Sequence, residues 1–375
     1  MTLRSIRPVG NRIVTGGDAS PRFVDDLFAG YEVDYLSSGT AALALAIRMA
    51  CAARRVEKPE VILPAYGCPD LVAAAVHAGA RPVLADLSRE SVEYAPESIA
   101  ALLSPRTVAI VAVTFLGIRA NAESLRAAIA DRGIVLVEDS AQWFPRTPSQ
   151  RFFGDYVVLS FGRGKPVNLL GGGALLTARH MESAAKIAPQ AHASQLADAF
   201  KVTLYNVLIR PGVYGIAEKL PFLQIGLTEY HELREIGGMP SGPRRRLRAN
   251  VRLYRERSLN VQDRWREAFR EAAPAVVIDL PRTHGVPADC ALLRYPILVR
   301  SRSRRDELYT QMRKFGLGAS TLYTRALPDI EGVSAHVSTN EIPCARDFAD
   351  RLLTLPTHED VDEAMIRRTV ELIGP

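Results

Sequence analysis

Short apolar runs alternate with helical stretches of about ten residues from Ser38 to Phe161, and that alternation restricts the chain to few folds. Residues 41–54 read as a helix rich in Ala and Leu, opened by Ser37-Ser38-Gly39-Thr40, small hydroxyl-bearing residues suited to a helix start. A strand at 61–63, a helix at 70–78, a strand at 82–86 ending in Asp86 and a longer strand at 108–114 follow. A helix at 123–132 and strands at 134–138 and 156–161 complete the series. The strands lack clean polar alternation, as expected where both faces are covered. Strands separated by helices predict βαβ units, hence an α/β fold with a mostly parallel sheet. Ligands of such sheets bind beyond the carboxyl ends of the strands. Tyr66, Asp139, Ser160 and Lys165 all fall at such ends, which places them within reach of one pocket.

After Thr177 the pattern changes. An apolar helical insertion is expected at about 190–235, a breaker-rich joint at 237–243, and one long charged helix at 244–272. Short strands at 276–280 and 295–299 and helices at 303–315 and 361–373 then form an α+β pattern. The expected division is a large domain over 1–240 and a smaller C-terminal one over 241–375. With 375 residues, 47% hydrophobic and 23% charged, the chain can bury such cores throughout. A net charge of +6 is modest, and the Arg244–Arg246 and Arg302, Arg304, Arg305 clusters read as solvated faces, so no nucleic-acid partner is expected. Four cysteines without ligand spacing predict no metal site and no disulfide scaffold, and fit the cytoplasm. The first residues lack the apolar core of a secretory signal. Residues 202–227 are the most apolar stretch, but Arg210-Pro211, Glu218-Lys219 and Pro221 interrupt them, so a continuous membrane span is not expected.

Lysine is scarce: it supplies six of the 47 Lys and Arg residues, and Lys165 stands in Ser160-Phe161-Gly162-Arg163-Gly164-Lys165-Pro166 just before Gly171-Gly172-Gly173. Unlike arginine, a lysine amine can lose its proton and form a Schiff base. If the carbonyl is that of pyridoxal phosphate, three further features are required. The phosphate needs a helix N-terminus with hydroxyls, which Ser38, Gly39 and Thr40 offer. The pyridine nitrogen needs a carboxylate that keeps it protonated, and Asp139 ends a strand at the right place. The ring needs cover, for which Tyr66 is the candidate. Each has an ordinary reading too: a surface lysine, a small-residue helix cap, an aspartate capping the next helix, a core tyrosine. Their order and spacing carry more than any one of them.

The strings SSGTAALALAI, VEDSAQ, GDYVVLSFGRGK followed by GGGALLT, and RLLTLPTHEDVDEAMI together resemble the DegT/StrS family of pyridoxal-phosphate aminotransferases, of fold type I, over about residues 35–375. The resemblance implies a seven-stranded-type sheet in the large domain, Lys165 as Schiff base and proton carrier, and Asp139 at the pyridinium nitrogen. It further implies Gln142 near the ring hydroxyl, Ser38, Gly39, Thr40 and Ser160 on the phosphate, and Tyr66 on the ring. It also implies a homodimer, an amino donor such as glutamate, and a keto-sugar acceptor, nucleotide-linked, in polysaccharide or secondary-metabolite assembly.

The chain departs from the family in three places. The usual Gly-x-Asn-x-Arg segment, whose asparagine reaches a partner's phosphate, is missing; Arg244–Arg246 either replaces that contact or leaves it absent. The apolar 202–227 stretch is unusual, with extra core or a dimer interface as one reading and a membrane or lipid-linked substrate contact as the other. Tyr323 lacks the histidine that often precedes it; His358 reads as a structural turn and His77 as packing. Two alternatives stay open: the same fold with non-transaminase chemistry, and a cofactor-binding regulator without turnover. A plain dinucleotide-binding fold is disfavoured, because no GxGxxG follows the first strand.

Overall fold

The structure is a computed structural model that describes residues 5–16, 26–183, 187, 194–217, 228–271, 276–338 and 341–374. Strands β1 (Tyr31–Leu36), β2 (Glu60–Pro64), β3 (Arg81–Ala85), β4 (Thr107–Val113), β5 (Val135–Asp139), β6 (Tyr156–Ser160) and β7 (Gly173–Ala178) form one sheet in the order β1-β7-β6-β5-β4-β2-β3. The β3, β2, β4, β5 and β6 neighbours pair in parallel, whereas β7 pairs antiparallel with both β6 and β1. The parallel strands are the ones the alternation predicted. β1 and β7 escape that pattern because an antiparallel partner needs no crossover helix to announce it.

Helices α1 (Gly39–Arg54), α2 (Asp70–His77), α3 (Pro96–Leu102) and α4 (Ala122–Ala128) cover the sheet. Residues of neighbouring strands sort between its two faces with period two. Ala109, Val111, Val137 and Val158 pack with Ala41–Ala46 of α1, while Ile110, Ala112 and Leu136 pack with Leu125 and Ile129. Burial of each such Val, Leu or Ile stabilises the fold by roughly 1.5–3 kcal/mol.

The insertion holds α5 (Gln195–Leu208) and α6 (Pro211–Ala217); residues 188–193 and 218–227 lie outside the described residues, and with them the second half of the 202–227 stretch. Within its first half Val202, Ile209 and Tyr214 are buried, but Leu204, Val207 and Ile216 are exposed, as are Leu196 and Phe200. Among the described residues no helix is long and apolar enough to cross a membrane.

The long helix expected at 244–272 is two helices, α7 (Ser241–Glu256) and α8 (Asn260–Glu271). Arg257 is extended between them (φ −60°, ψ 133°) and donates to Asn11 Oδ1 at 2.9 Å and to the Thr357 carbonyl. The Arg146 guanidinium donates to the carbonyls this break exposes, those of Arg255 and Arg257, both at 2.6 Å. No proline or glycine marks the break, because distant side chains stabilise it. Leu247, Val251 and Tyr254 of α7 pack with Trp143, Phe161 and Leu176 on the large sheet, so this helix belongs to that layer although it follows residue 240.

Strands β8 (Val277–Asp279), β9 (Tyr295–Val299) and β10 (Leu352–Leu355) form a second, antiparallel sheet, joined by the single turn α9 (Leu280–Thr283) and by α10 (Arg302–Lys314) and α11 (Pro343–Arg351); α12 (Glu363–Ile373) closes the chain. Asp86, just past β3, accepts from the amides of Cys344 and Ala345 at 3.1 and 2.8 Å and caps α11, tying the two sheets together.

Candidate active site

The carboxyl end of β1 runs into the amino terminus of α1. Ser38 caps that helix, its hydroxyl accepting from the Ala41 amide at 3.0 Å. Ser38 lies beside Gly172, and Ser160, the last residue of β6, pairs with Gly173. Side chains are excluded at this junction: a Cβ on Gly173 would sit 2.4 Å from the Ser38 carbonyl, and one on Gly39 2.7 Å from Ser160 Cβ. The glycines therefore bring the positive end of the α1 dipole against the Ser160 hydroxyl, a combination suited to a phosphate.

Asp139 ends β5, the strand next to β6, and is buried. Its Oδ1 accepts from the Ala141 amide at 2.9 Å, and its other oxygen has no hydrogen-bond partner among the described residues. Burial raises its pKa, opposed by the Ala141 amide and the Lys165 charge, while the Asp70 charge adds to the rise. A cation brought to the open oxygen would relieve that unfavourable state.

Lys165 is half-buried in the loop after β6, where a turn puts its amide 3.3 Å from the Gly162 carbonyl. Its charge is felt by both Asp139 and Cys68. A Cβ at Gly162 would lie 3.7 Å from Ser160 Oγ and 4.0 Å from Lys165 Cγ, so the lysine stem passes beside the corner that Ser160 makes with the α1 terminus. Thus Ser38, Gly39, Thr40, Asp139, Ser160 and Lys165, drawn from three separate segments, come together.

Three side chains behave differently from expectation. Tyr66, expected to cover a ring, is buried in an aromatic cluster: its ring meets Phe348, Phe115 and Tyr323 at 5.0, 5.6 and 5.8 Å between centroids, and its hydroxyl donates to the Leu322 carbonyl. The side chain this loop turns toward Lys165 belongs to Cys68, two residues on, whose thiol burial pushes up to about 12. Gln142, expected near a ring hydroxyl, is engaged at both ends, its Oε1 accepting from the Leu116 amide at 2.9 Å and its Nε2 donating to Tyr323 Oη at 3.0 Å. The Thr40 hydroxyl donates to Asp70 Oδ2 at 3.0 Å. Cys68 and Asp70 are the members sequence reasoning missed; an acid at a helix start and a thiol before a proline carry no chemical signal of their own.

Glu138 is structural: it accepts from the Phe153 and Gly154 amides at 2.8 and 3.2 Å and holds the turn into β6. Arg246 is equally committed, pairing through both nitrogens with Asp198 and donating to the Leu169 carbonyl at 2.8 Å, so it is not the contact offered to a neighbouring subunit. Arg244 lies over the Tyr35 ring at 5.2 Å. His358 and His77 bind the carbonyls of Arg7 and Leu233, both at 2.7 Å, in keeping with a turn and with packing.

The sequence profile of the DegT/DnrJ/EryC1/StrS aminotransferase family matches residues 11–214 and 245–374. The chain belongs to that family. Over 145 residues it is 30% identical to the GDP-perosamine synthase of Vibrio cholerae, a match spanning 38% of this chain and 39% of that one. Over 115 residues it is 33% identical to the spore coat polysaccharide biosynthesis protein SpsC of Bacillus subtilis, spanning 30% of this chain and 29% of that one. The E. coli GDP-4-keto-6-deoxy-D-mannose-3-dehydratase with bound hydrated PLP superposes with a TM-score of 0.69 over 95% of this chain and 90% of that one; at 16% identity the likeness is one of fold. Residues 215–244, which the family profile leaves unmatched, include the stretch where the Gly-x-Asn-x-Arg segment was sought and not found. Within the matched part, the family's cofactor fits the residues present: an α1 terminus bared by glycines for a phosphate, an Asp139 oxygen without a hydrogen-bond partner among the described residues for a ring nitrogen, and a lysine whose charge reaches that aspartate.

Proposed function

We propose that the chain is a pyridoxal-phosphate-dependent aminotransferase that moves an amino group from a donor such as glutamate to a keto sugar, nucleotide-linked, in polysaccharide or secondary-metabolite assembly. The observation that supports it most is the convergence of Lys165 and Asp139 beside the α1 terminus. Bound there, pyridoxal phosphate supplies an aldehyde for amine exchange and a protonated ring that withdraws electrons. The chain's own residues do the rest. The α1 terminus and Ser160 would hold the phosphate, and Asp139 would keep the ring nitrogen protonated. Lys165 Nζ would take the proton released from the donor's α-carbon and deliver it to the carbon on the far side of the transferred nitrogen, a short transfer across one intervening atom that one flexible amine can serve. Tyr323, fixed by Gln142, walls the site.

The two-unit division and the homodimer belong to the same reading. The exposed row Leu196, Phe200, Leu204 and Val207 along one face of α5 supports either a second copy or a lipid contact there. Sedimentation with and without liposomes separates these. For the chemistry, the test is the purified protein's visible absorbance with pyridoxal phosphate. Borohydride should fix the cofactor on Lys165, located by peptide mass, and Lys165→Ala should not be labelled. Retention of the cofactor with no bleaching by any amino donor would favour non-transaminase chemistry.

A further inference from the structure

Behind Tyr323 lies a cavity of about 360 Å³ whose wall includes Arg294, Tyr309, Arg313, Ser320, Tyr323 and Thr324. Arg294, immediately before β9, is buried, 8% exposed. Its Nη1 makes one long hydrogen bond, 3.5 Å to Thr354 Oγ1, and its Nε is buried with no partner. Among the described residues no carboxylate pairs with it; the charged-state neighbours it feels are the phenols of Tyr323, Tyr214, Tyr66 and Tyr309. Other buried arginines in the chain differ: Arg7, Arg246, Arg305 and Arg351 each hold at least one carboxylate. A guanidinium taken out of water without a counter-ion is costly, and burial here lowers its pKa to about 10.

We propose that this cavity is an oxyanion subsite, in which a carboxylate or phosphate group of a small molecule pairs with the Nε–Nη2 edge of Arg294, whose Nε has no partner. That edge is a planar pair of donors, matched to two oxygens of one acid group. The hydroxyls of Tyr309, Ser320 and Thr324 on the same wall are of the type that completes such a shell. The subsite is not isolated from the reaction centre. Tyr323 forms part of its wall, accepts from Gln142, and acts electrostatically on Cys68, which feels the Lys165 charge. Tyr323 also sits in the left-handed region at φ 49°, a conformation a bulky residue adopts only when its surroundings impose it. An anion on Arg294 and a ligand beside Lys165 would therefore share one strained wall.

The test is thermal stability and titration calorimetry of the full chain at constant ionic strength, with glutarate, inorganic phosphate and chloride as probes. Saturable stabilisation by glutarate or phosphate beyond chloride is expected, with affinity weakened about tenfold or more in Arg294→Met, the loss typical of a charged hydrogen-bonded contact. Without the probes Arg294→Met should be at least as stable as the native chain, because an unpaired buried charge is removed. Thr321→Trp, which narrows the cavity and leaves Arg294 in place, should lose binding as well. If the native chain shows no saturable response to either oxyanion, or Arg294→Met responds as the native chain does, the proposal is overturned. These measurements need no turnover, so their outcome is separate from that of the aminotransferase reading. In the cofactor-loaded enzyme, a KM rise for the donor alone assigns the anion to the donor's carboxylate. A KM rise for the acceptor alone assigns it to a phosphate, and oxyanion binding with both KM values unchanged assigns it to a separate effector.

Discussion

Replacing Arg246 by leucine tests whether the lysine loop is held in place from behind. Arg246 is 3% exposed and Asp198 7% exposed; they pair bidentately, with Nη2–Oδ1 at 3.0 Å, and the same Nη2 donates to the Leu169 carbonyl at 2.8 Å. Arg246→Leu strands a buried carboxylate and a carbonyl together. Breaking a buried pair on one side costs about 3–5 kcal/mol. Asp198→Leu should cost a similar amount by stranding the guanidinium. The double variant removes both charges and should recover most of the loss, since a buried pair exchanged for apolar groups is often neutral. By contrast, Arg244→Ala gives up a half-buried contact with the Tyr35 ring worth about 0.5–1 kcal/mol. Urea midpoints of the native chain and these four variants measure these differences. Leu169 also lies four residues after Lys165, so cofactor affinity should fall in Arg246→Leu and stay low in the double variant, which regains stability without regaining the carbonyl contact. A single variant as stable as the native chain, or a double variant no better than either single one, would refute the reasoning.

Asp139→Asn should raise the thermal midpoint of the cofactor-free protein and weaken cofactor binding. The folded-state pKa is raised, so the ionised side chain opposes folding at neutral pH; the gain from asparagine should shrink as pH falls below the raised pKa. Tyr66→Phe should cost about 1–2 kcal/mol in urea unfolding by leaving the Leu322 carbonyl unpaired, with the cofactor spectrum unchanged, whereas Cys68→Ala should shift that spectrum at little cost in stability. His358 is buried neutral, its pKa pushed from 6.5 down to about 3 by burial and by the Arg7 charge. A depressed pKa gives stability that is complete above pH 6.5 and declines as pH drops toward 3, at up to about 1.4 kcal/mol per pH unit. Thermal midpoints against pH should show that slope in the native chain and a shallower one in His358→Gln.

Local chemistry made the parallel strands legible. Continuous apolar runs such as 108–114, punctuated by helical stretches, have few alternatives to βαβ units, and β2 to β6 appear where they were expected to within two residues. What escaped was set by partners remote in the chain. β7 was hidden behind three glycines, yet the last of them, Gly173, stands where the Ser38 backbone passes too close for a side chain. The break at Arg257 was hidden because Arg146, Asn11 and Thr357, far away in sequence, stabilise it.

The same distinction runs through the site. Backbone-determined features, the α1 terminus and the ends of β5 and β6, are fixed by topology, so the positions of Gly39, Asp139, Ser160 and Lys165 follow from sequence order. Side-chain allegiance is decided by packing, and there the motif misleads. Tyr66 and Cys68 occupy one loop two residues apart, and which of them faces Lys165 depends on whether Phe115, Phe348 and Tyr323 surround the tyrosine, three rings contributed by elements up to 282 positions away in the chain. Arg294 illustrates the opposite case. Nothing in Leu293-Arg294-Tyr295 marks it among so many arginines, and only its burial without a carboxylate sets it apart. A charge that the folded chain leaves unanswered is information that no motif encodes, and it directs attention to a ligand's own charge.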